Sequence, residues 1–473
     1  MLVHPIRSAP PVSEPVSGLA LLWQVSTDQS SSWKSAKIVL DQLDVTISSH
    51  RTARNRVVTL GMEKGIIGMI KIGYIVPEFP GQTHTFFWRE VRRLEQMGAA
   101  VQIVSTRRPP PGIRSHTWSD DAEKRTIYLQ ERSVVVTAAN TIGALLSGFP
   151  KGWLPTLASI MRSKVTFKQR VALFAMAVFA AKLARIAKKN QWNHIHVHSC
   201  ANAANIAAFA SKMSGIPYSL TLHGSLSDYG ENQLEKWEKA KFGIAVTKRL
   251  RAQIGLALGS SIADKTVIAP MGVNLDEFTR DHAYQPWLQT GAARLYSVGR
   301  LNPGKGHNIL IKAISIIKKR GYNVHLTIAG QDEQGGTGYK IALINLIEKL
   351  DLQENVTLIG AVSEDVVRTG LLDSHIFVLA SLHEALGVAI MEAMALELPV
   401  IATSVGGIPD LIDHDMHGLL VSPGNAIELA DAILIILNNP ELAASFSSEN
   451  RRKIELHYND RISAEILIKN ASN

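Results

Sequence analysis

The first sustained hydrophobic pattern of the chain starts at Met69. Residues 69–76 read Met-Ile-Lys-Ile-Gly-Tyr-Ile-Val, which predicts a buried strand, and the Gly- and Pro-containing residues 77–81 predict a loop. A helix is predicted over 85–97 and the next strand over 99–105. The order strand, loop, helix, strand is typical of a parallel, doubly wound sheet with right-handed crossovers.

The same order of elements restarts near residue 292, with a strand at 294–299, a helix at 308–320 and a strand at 324–329. Further strands are predicted at 375–380, 399–403 and 418–421. This repetition predicts an α/β protein with two Rossmann-like domains that face each other across a cleft.

We place the N-terminal domain at 69–285 and the C-terminal domain at 290–450. Residues 451–473 are expected to form a helix that packs back on the N-terminal domain. Residues 1–68 are rich in Ser, Thr and Pro and show no sustained period. They are expected to be a disordered extension, unless Met69 is the true start of the protein.

No feature of the sequence predicts a membrane span or a signal peptide. No apolar run reaches the roughly 18 residues that cross a bilayer, and the patch at 18–25 behind Arg7 is short for a signal peptide. The single cysteine, Cys200, has no partner within the chain for a disulfide. These features favour a location in the cytoplasm.

The formal net charge is +9, which indicates an anionic partner. The segment from Lys151 to Asn190 carries nine Lys and Arg residues and no Asp or Glu, with apolar residues between them. It fits either helices on an anionic membrane surface or packed helices with a solvated basic edge. Residues 152–168 are the better candidate for membrane contact, and residues 171–186 are predicted to belong to the core. Nucleic-acid binding is not predicted, because basic motifs interleaved with aromatic residues are absent.

Two cations lie in the loop that follows the strand at 294–299. Arg300 and Lys305 stand in Val-Gly-Arg-Leu-Asn-Pro-Gly-Lys-Gly, at the sheet edge where such folds bind ligands. An Arg fork and a Lys point charge can together neutralise a pyrophosphate. The loop lacks the residue order of a Walker motif, and no GxGxxG follows either opening strand, which disfavours an NAD site.

Two acids follow further along the chain, with seven residues between Glu384 and Glu392. On a helix such a spacing covers about 12 Å, comparable to a sugar diphosphate. The amides of Leu386, Gly387 and Val388 between them lie at a predicted helix N-terminus, which suits an anion or a hydroxyl group. One acid can therefore hold ribose hydroxyls while the other reaches the sugar.

Gly299-Arg-Leu with Lys305-Gly, followed by Glu384 and Glu392 as Glu-x7-Glu, resembles the retaining glycosyltransferases of family 4. The resemblance covers residues 70 to about 470 and extends to transferases of bacterial exopolysaccharide and colanic-acid type. It implies the GT-B fold and the transfer of a sugar, with retention, from a nucleoside diphosphate sugar to a glycan acceptor that is lipid-linked. It also implies a location at the inner face of the cytoplasmic membrane, with neither a metal nor a permanently bound cofactor.

The same resemblance implies roles for individual residues. Arg300 and Lys305 would hold the diphosphate, Glu392 the ribose, and Glu384 would sit beside the transferred sugar. Other donor contacts are implied at Gly330, Val362, Leu386, Gly387 and Val388. One departure is Ala385, which stands where the family usually has Gly and makes the loop stiffer.

Candidate residues of the N-terminal domain lie near strand ends. Because Gly81 has no side chain, a sugar or phosphate of the donor could approach its backbone closely. The alternative is that Gly81 only allows a tight turn. The resemblance implies that His223 lies close to the transferred sugar, and the alternative is a hydrogen-bonded histidine at a strand end. The predicted catalytic set is Glu384, His223, Arg300 and Lys305. The predicted acceptor-side residues are His84, His198 and Asp228.

Two alternatives concern metal and reaction type. His194, His196 and His198 alternate on one strand with Cys200 nearby, and a zinc site is the less favoured interpretation of this pattern. A GT-B phosphorylase or epimerase would share the architecture, and so would a non-catalytic nucleotide-sugar-binding subunit. The presence of both Glu384 and Glu392 favours an enzyme. No carboxylate nucleophile is identified, so a front-face mechanism is expected.

Overall fold

The computed structural model describes residues 69–81, 84–109, 116–130, 150–332 and 338–473. The predictions made for residues 1–68 lie outside this part of the chain. The described residues form two parallel sheets with helices on their faces.

The first sheet has seven strands in the order β3-β2-β1-β4-β5-β6-β7. Residues 72–76, which belong to an interior strand of this sheet, are all buried, because helices cover both faces of a parallel sheet. The strands are β1 (Lys71–Glu78), β2 (Ala100–Arg107), β3 (Ile127–Tyr128), β4 (His194–Val197), β5 (Tyr218–Leu222), β6 (Phe242–Ala245) and β7 (Thr266–Ile268).

The second sheet has six strands in the order β10-β9-β8-β11-β12-β13, in which the first strand of the domain pairs with the second and the fourth. This is the strand order of a dinucleotide-type Rossmann sheet, which binds ligands where the order reverses. The strands are β8 (Ala293–Val298), β9 (Val324–Ala329), β10 (Val356–Gly360), β11 (Ile376–Leu379), β12 (Val400–Thr403) and β13 (Gly418–Val421).

Helices connect the strands of both sheets. Those of the first half are α1 (Thr85–Gln96), α2 (Ser119–Arg125), α3 (Pro150–Arg162), α4 (Phe167–Lys189), α5 (Asn202–Ser214), α6 (Gln233–Glu238), α7 (Lys248–Leu258) and α8 (Ser260–Asp264). Those of the second half are α9 (His307–Lys319), α10 (Tyr339–Lys349), α11 (Glu364–Leu372), α12 (Val388–Ala395), α13 (Ile408–Leu411), α14 (Ala426–Leu437), α15 (Pro440–His457) and α16 (Asp460–Ser472).

The C-terminal residues differ from the single helix predicted over 451–473. Helix α15 ends at His457, and the side chain of Asn459 accepts hydrogen bonds from the first amides of α16, so that a new helix begins there. Helix α16 packs on the N-terminal domain, where Leu467 lies in one hydrophobic cluster with Leu94 of α1. Arg93 of α1 also lies 2.9 Å from Asp460.

The basic segment forms α3 and α4, and five of its large apolar side chains are exposed. Leu154 is 74% exposed and Phe167 81%, and Met161, Val171 and Phe174 are exposed as well. The core prediction for 171–186 was therefore wrong at its start, although the later Ala and Leu positions of α4 are buried. The five apolar residues, with the exposed cations Arg162, Lys164 and Lys168 beside them in the chain, are called the basic apolar patch below.

No single helix of the described residues is both long and apolar enough to cross a membrane. Only α14 and α15 together meet such a criterion of length and composition, and they are bent by 96° relative to each other.

Candidate functional site

The carboxyl ends of the two sheets line one cavity of about 420 Å³, a size typical of ligand sites. The loop after β5 contributes His223, and the start of α1 contributes Thr85 and Phe86. Opposite them, the C-terminal domain contributes Arg300, Lys305, Gly330, Val362, Glu384, Leu386, Gly387, Val388 and Glu392. The donor residues predicted in the second half of the chain therefore come together at one cleft.

Glycines allow the loops of the second sheet to pack backbone against backbone. A β-carbon on Gly330 would lie 1.8 Å from the carbonyl oxygen of Gly299, and one on Gly306 would lie 1.9 Å from that of Ala380. Gly306 also has a φ of +66°, which side chains other than glycine rarely adopt. These contacts place the loop that carries Arg300 and Lys305 against the loop after β11.

Lys305 and Glu384 form an ion pair within the cleft. Lys305 Nζ lies 2.5 Å from Glu384 Oε2, and the two side chains are 20% and 13% exposed. Ser381 donates a longer hydrogen bond of 3.4 Å to the same oxygen. The cation predicted to hold phosphate therefore lies next to the acid predicted to lie beside the sugar. Because the two charges are opposite, the pair presents little net charge to a ligand.

The loop of Glu384 rests on the loop that follows β12. The amide of Gly407 donates to the carbonyl of Glu384 at 3.1 Å, and a β-carbon on Gly406 would lie 1.6 Å from that oxygen. Gly406 has a φ of +57°. The position of the Glu384 carboxylate therefore depends on two glycines that the sequence analysis did not single out.

Helix α12 begins beside the two acids of the cleft. Gly387 is its N-cap residue, with a φ of +85°, and no side chain caps the first turn. The amides there lack intrahelical partners, as at every helix N-terminus. They line the cleft together with Glu392, which lies one turn further along the helix.

Arg89 of α1 in the N-terminal domain was not predicted, and it contacts two acids that line the cleft. Its side chain is 4% exposed, lies 2.9 Å from Glu392 and forms a second ion pair with Glu364. The guanidinium also lies 4.8 Å from the ring centre of Phe278. A buried cation between two acids joins the domains directly at the predicted ribose position.

His223 contacts a second histidine behind it. Its Nε2 lies 3.0 Å from Nδ1 of His198, whose Nε2 lies 2.9 Å from Oε2 of Glu90. The pKa of His223 is lowered to about 3, chiefly by burial and in smaller part by the His198 ring, while Glu90 opposes the shift. Burial also lowers the pKa of His198 to about 3, so both rings are neutral near pH 7.

Glu90 could have been found from the sequence, unlike Arg89. Phe87, Val91 and Leu94 mark the buried face of α1, and Glu90 lies three residues after Phe87 on that face. An acid on an apolar helix face indicates a buried polar contact.

Four predicted N-terminal residues are not among the described residues that line the cleft. A β-carbon on Gly81 would lie 2.5 Å from Nδ1 of His84, so this glycine makes room for His84. Burial lowers the pKa of His84 to about 4. His198 lies behind His223, and Asp228 is exposed on a short turn. Their predicted roles stay predictions.

The histidines of β4 have protein partners. Ser219 Oγ lies 2.7 Å from both His194 Nε2 and His196 Nδ1, and Thr221 Oγ1 lies 3.0 Å from His196 Nε2. Glu90, His196 and His198 have potential ligand atoms within 4.8 Å of one another. A metal there would have to displace the hydrogen bonds of His196.

Comparison with known proteins finds a family similar to the C-terminal half of the chain. Residues 285–453 match the family described as Glycosyl transferases group 1. The matched residues include every predicted donor residue except Gly81.

Two curated relatives extend the comparison. The amylovoran biosynthesis glycosyltransferase AmsK of Erwinia amylovora is 34% identical over 219 residues, which are 43% of this chain and 51% of the relative. The putative colanic acid biosynthesis glycosyltransferase WcaL of Escherichia coli is 22% identical over 83% of this chain and 97% of the relative. The chain spans about half the length of the first curated relatives that it matches.

Solved structures share the complete two-domain fold of this chain. A glycosyltransferase from Rickettsia africae is 21% identical with a TM-score of 0.64, over 85% of this chain and 98% of that one. Anabaena HepE in complex with UDP-glucose is 17% identical with a TM-score of 0.64, over 85% and 100%. The predicted GT-B fold of two Rossmann-like domains is confirmed.

Proposed function

We propose that this protein is a retaining glycosyltransferase that moves a sugar from a nucleoside diphosphate sugar to a lipid-linked glycan in the synthesis of a bacterial surface polysaccharide. The observation that carries the proposal is the cleft in which Arg300, the Lys305–Glu384 pair and Glu392 lie around the start of α12. Relatives named for amylovoran and colanic acid biosynthesis support the polysaccharide assignment.

The donor spans the cleft in this proposal. Its diphosphate lies against Lys305, Arg300 and the free amides at the start of α12, which together supply the positive charge that a metal supplies in other transferases. Its ribose hydroxyls donate to Glu392. Solved structures of similar fold in complex with UDP and with UDP-glucose support a nucleotide-sugar donor.

Transfer then takes place on one face of the sugar. The bond between the anomeric carbon and the diphosphate oxygen breaks, and the acceptor hydroxyl attacks from the same side. The hydroxyl proton passes to the departing phosphate oxygen, so the products are the glycosylated acceptor and a nucleoside diphosphate. Glu384 is paired with Lys305, which favours a positioning and electrostatic role for this carboxylate over that of a free nucleophile.

Product analysis with radiolabelled nucleotide sugars tests the function. We expect one donor to release its nucleoside diphosphate and to label a lipid fraction, with the anomeric configuration of the donor kept in the product. The matched Glu384→Gln variant should bind the donor and transfer little. An inverted product, or a glycosyl-enzyme adduct in the mass spectrum, would contradict the mechanism. Binding without turnover by the native protein would favour a binding subunit.

The basic apolar patch is the surface that we propose to rest on the membrane at its cytoplasmic face, where a lipid-linked acceptor would be held. Phe167 and Leu154 project apolar side chains into solvent, and Lys164 and Lys168 provide positive charge near them in the chain. Helices with this composition lie in the interface of anionic bilayers, with the apolar side chains inserted and the cations at the headgroups.

Replacing Phe167 and Leu154 together with serine should lower vesicle binding at least tenfold, because each inserted side chain contributes roughly 2 kcal/mol. Sedimentation with vesicles of equal parts phosphatidylglycerol and phosphatidylcholine measures the effect. Leu256→Ser is the control, since Leu256 is 91% exposed on α7, outside the patch. Equal binding of both variants and the native protein would rule out this surface.

A further inference from the structure

A loop joins the cleft to the basic apolar patch. Residues 224–232, called the connecting loop below, directly follow His223, which lines the cleft. At the other end of this loop, the side-chain amide of Asn232 lies 3.2 Å from the hydroxyl of Ser163. Ser163 stands between two cations of the patch in the chain. The connecting loop therefore extends from the cleft to the surface that we propose to rest on the membrane.

Lys236 of α6 holds the connecting loop from its buried side. Its Nζ donates to the carbonyls of Tyr229 at 3.2 Å and Glu231 at 2.9 Å. It also donates to the carbonyl of Cys200, which follows β4, at 2.9 Å. Lys236 is 2% exposed. Gln233 of the same helix donates to the Tyr229 carbonyl as well, at 2.9 Å, so the backbone of the loop is fixed by side chains of the helix that follows it.

An ammonium group suits this position because it offers three hydrogens, and each of its three hydrogen bonds goes to a backbone carbonyl. Burial lowers the pKa of Lys236 to about 8, with Cys200 and Glu235 opposing the shift, so the group still carries its charge near pH 7. Hydrogen bonds from a charged donor are stronger than those from a neutral one. An apolar side chain here would leave carbonyls on the buried side without donors, and the loop would lose its fixed conformation.

We propose that Lys236 is a positioning residue for the acceptor, because it holds the connecting loop in the conformation along which the glycan of a lipid-linked acceptor reaches the cleft. The inference rests on the proposed function for the identity of the acceptor. The cleft residues proposed to hold the donor belong to the C-terminal domain, so the effect of Lys236 is specific to the acceptor.

The charges along this path fit such an acceptor. The exposed cations of the basic apolar patch suit a phosphate that links the glycan to its lipid. Ser227, Asp228 and Glu231 are exposed on the connecting loop, and their oxygens can accept hydrogen bonds from sugar hydroxyls. The two acids also repel phosphate. The acceptor therefore lies with its phosphate at the patch and its glycan along the loop.

Steady-state kinetics of Lys236→Met test the inference. The acceptor probe is vesicles made from the membrane lipids of the native host, and the donor is the radiolabelled nucleotide sugar. We expect the half-saturating lipid concentration to rise about tenfold, because the loop no longer holds one conformation. The value of kcat at saturating lipid and the KM for the donor should change little. Lys239→Met is the control, since the Lys239 side chain is 68% exposed directly after the same helix.

An unchanged half-saturating lipid concentration in Lys236→Met would overturn the inference, as would equal changes for donor and acceptor. Sedimentation of this variant with the vesicles of phosphatidylglycerol and phosphatidylcholine should match the native protein, because the patch is intact. Weaker sedimentation would also contradict the inference, since Lys236 would then act through the membrane surface.

Hydrogen exchange followed by mass spectrometry tests the positioning without turnover. We expect the amides of the connecting loop to exchange faster in Lys236→Met than in the native protein and Lys239→Met, while those of α9 keep the native rate. Unchanged exchange in the loop would overturn the inference. Should the native protein transfer no sugar, the proposed function fails, and this measurement still decides whether Lys236 holds the loop.

Gln233→Leu provides a second variant in case Lys236→Met does not fold, which circular dichroism reports. It removes a hydrogen bond to the Tyr229 carbonyl from the same side of the loop. We expect the same changes to a smaller extent, in both the lipid concentration and the exchange of the loop. Native values of both in Gln233→Leu would then overturn the inference.

Discussion

Replacing Lys305 with methionine is expected to lower kcat at least a hundredfold while the fold is retained. The cation stabilises the charge that develops on the departing diphosphate, and removing one such group from a preorganised site typically costs a factor of about 10² to 10³. The variant also leaves Glu384 without the partner that lies at 2.5 Å. The donor diphosphate then approaches an uncompensated carboxylate, so donor affinity falls as well.

Steady-state kinetics and calorimetric titration with the nucleoside diphosphate separate these two effects. Adding Glu384→Gln to Lys305→Met removes the unpaired charge and should restore part of the nucleotide affinity without restoring turnover. Lys312→Met, on an exposed position of α9, makes the same change in net charge away from the cleft. Similar losses in Lys305→Met and Lys312→Met would show that only the overall charge matters.

Arg89→Met is expected to produce the largest loss of stability. The substitution leaves Glu364 and Glu392 without the buried cation between them, and breaking a buried ion pair by removing one partner costs about 3 kcal/mol or more. A loss of about 3 kcal/mol lowers the midpoint of thermal unfolding by roughly 6–12 °C in a domain of about 150–250 residues. Nucleotide affinity should also fall, because Glu392 loses the group that orients it.

Thermal unfolding followed by circular dichroism measures this effect. Arg92→Met is the matched control: Arg92 lies on the same helix, its side chain is 55% exposed, and its ion pair with Glu95 is a surface pair. Adding Glu364→Gln to Arg89→Met should recover part of the midpoint. An unchanged midpoint in Arg89→Met would mean that the two acids do not depend on this cation.

The sequence predicted the donor half of the cleft well because its signals are local. Arg300 and Lys305 follow a strand directly, and parallel strands end at one edge of their sheet, so their location follows from the strand pattern. Glu384 and Glu392 flank a predicted helix start in the same way. Short strands were harder: β6 has four residues, one of them Gly243, and shows too little of a period to be identified.

Contacts between distant parts of the chain could not be predicted from such patterns. Arg89 is about three hundred residues from Glu392 in sequence, and no periodicity couples a helix of one domain to a helix of the other. The contact between the Glu384 carbonyl and the loop of Gly406 depends on the backbone geometry of two loops, which a hydrophobic pattern does not reveal. His198 was predicted on the acceptor side, whereas the structure places it behind His223, with its Nδ1 3.0 Å from Nε2 of that residue.

The central claim is that the cleft binds a nucleoside diphosphate sugar, and a thermal-shift measurement with UDP, GDP and ADP sugars tests it most directly. A ligand that binds only the folded protein stabilises it by about 2.7 kcal/mol at a hundred times its Kd. We predict that the sugars of one base raise the unfolding midpoint of the native protein and fail to do so in Glu392→Gln. No shift with any of the three, or an equal shift in both proteins, would contradict the account.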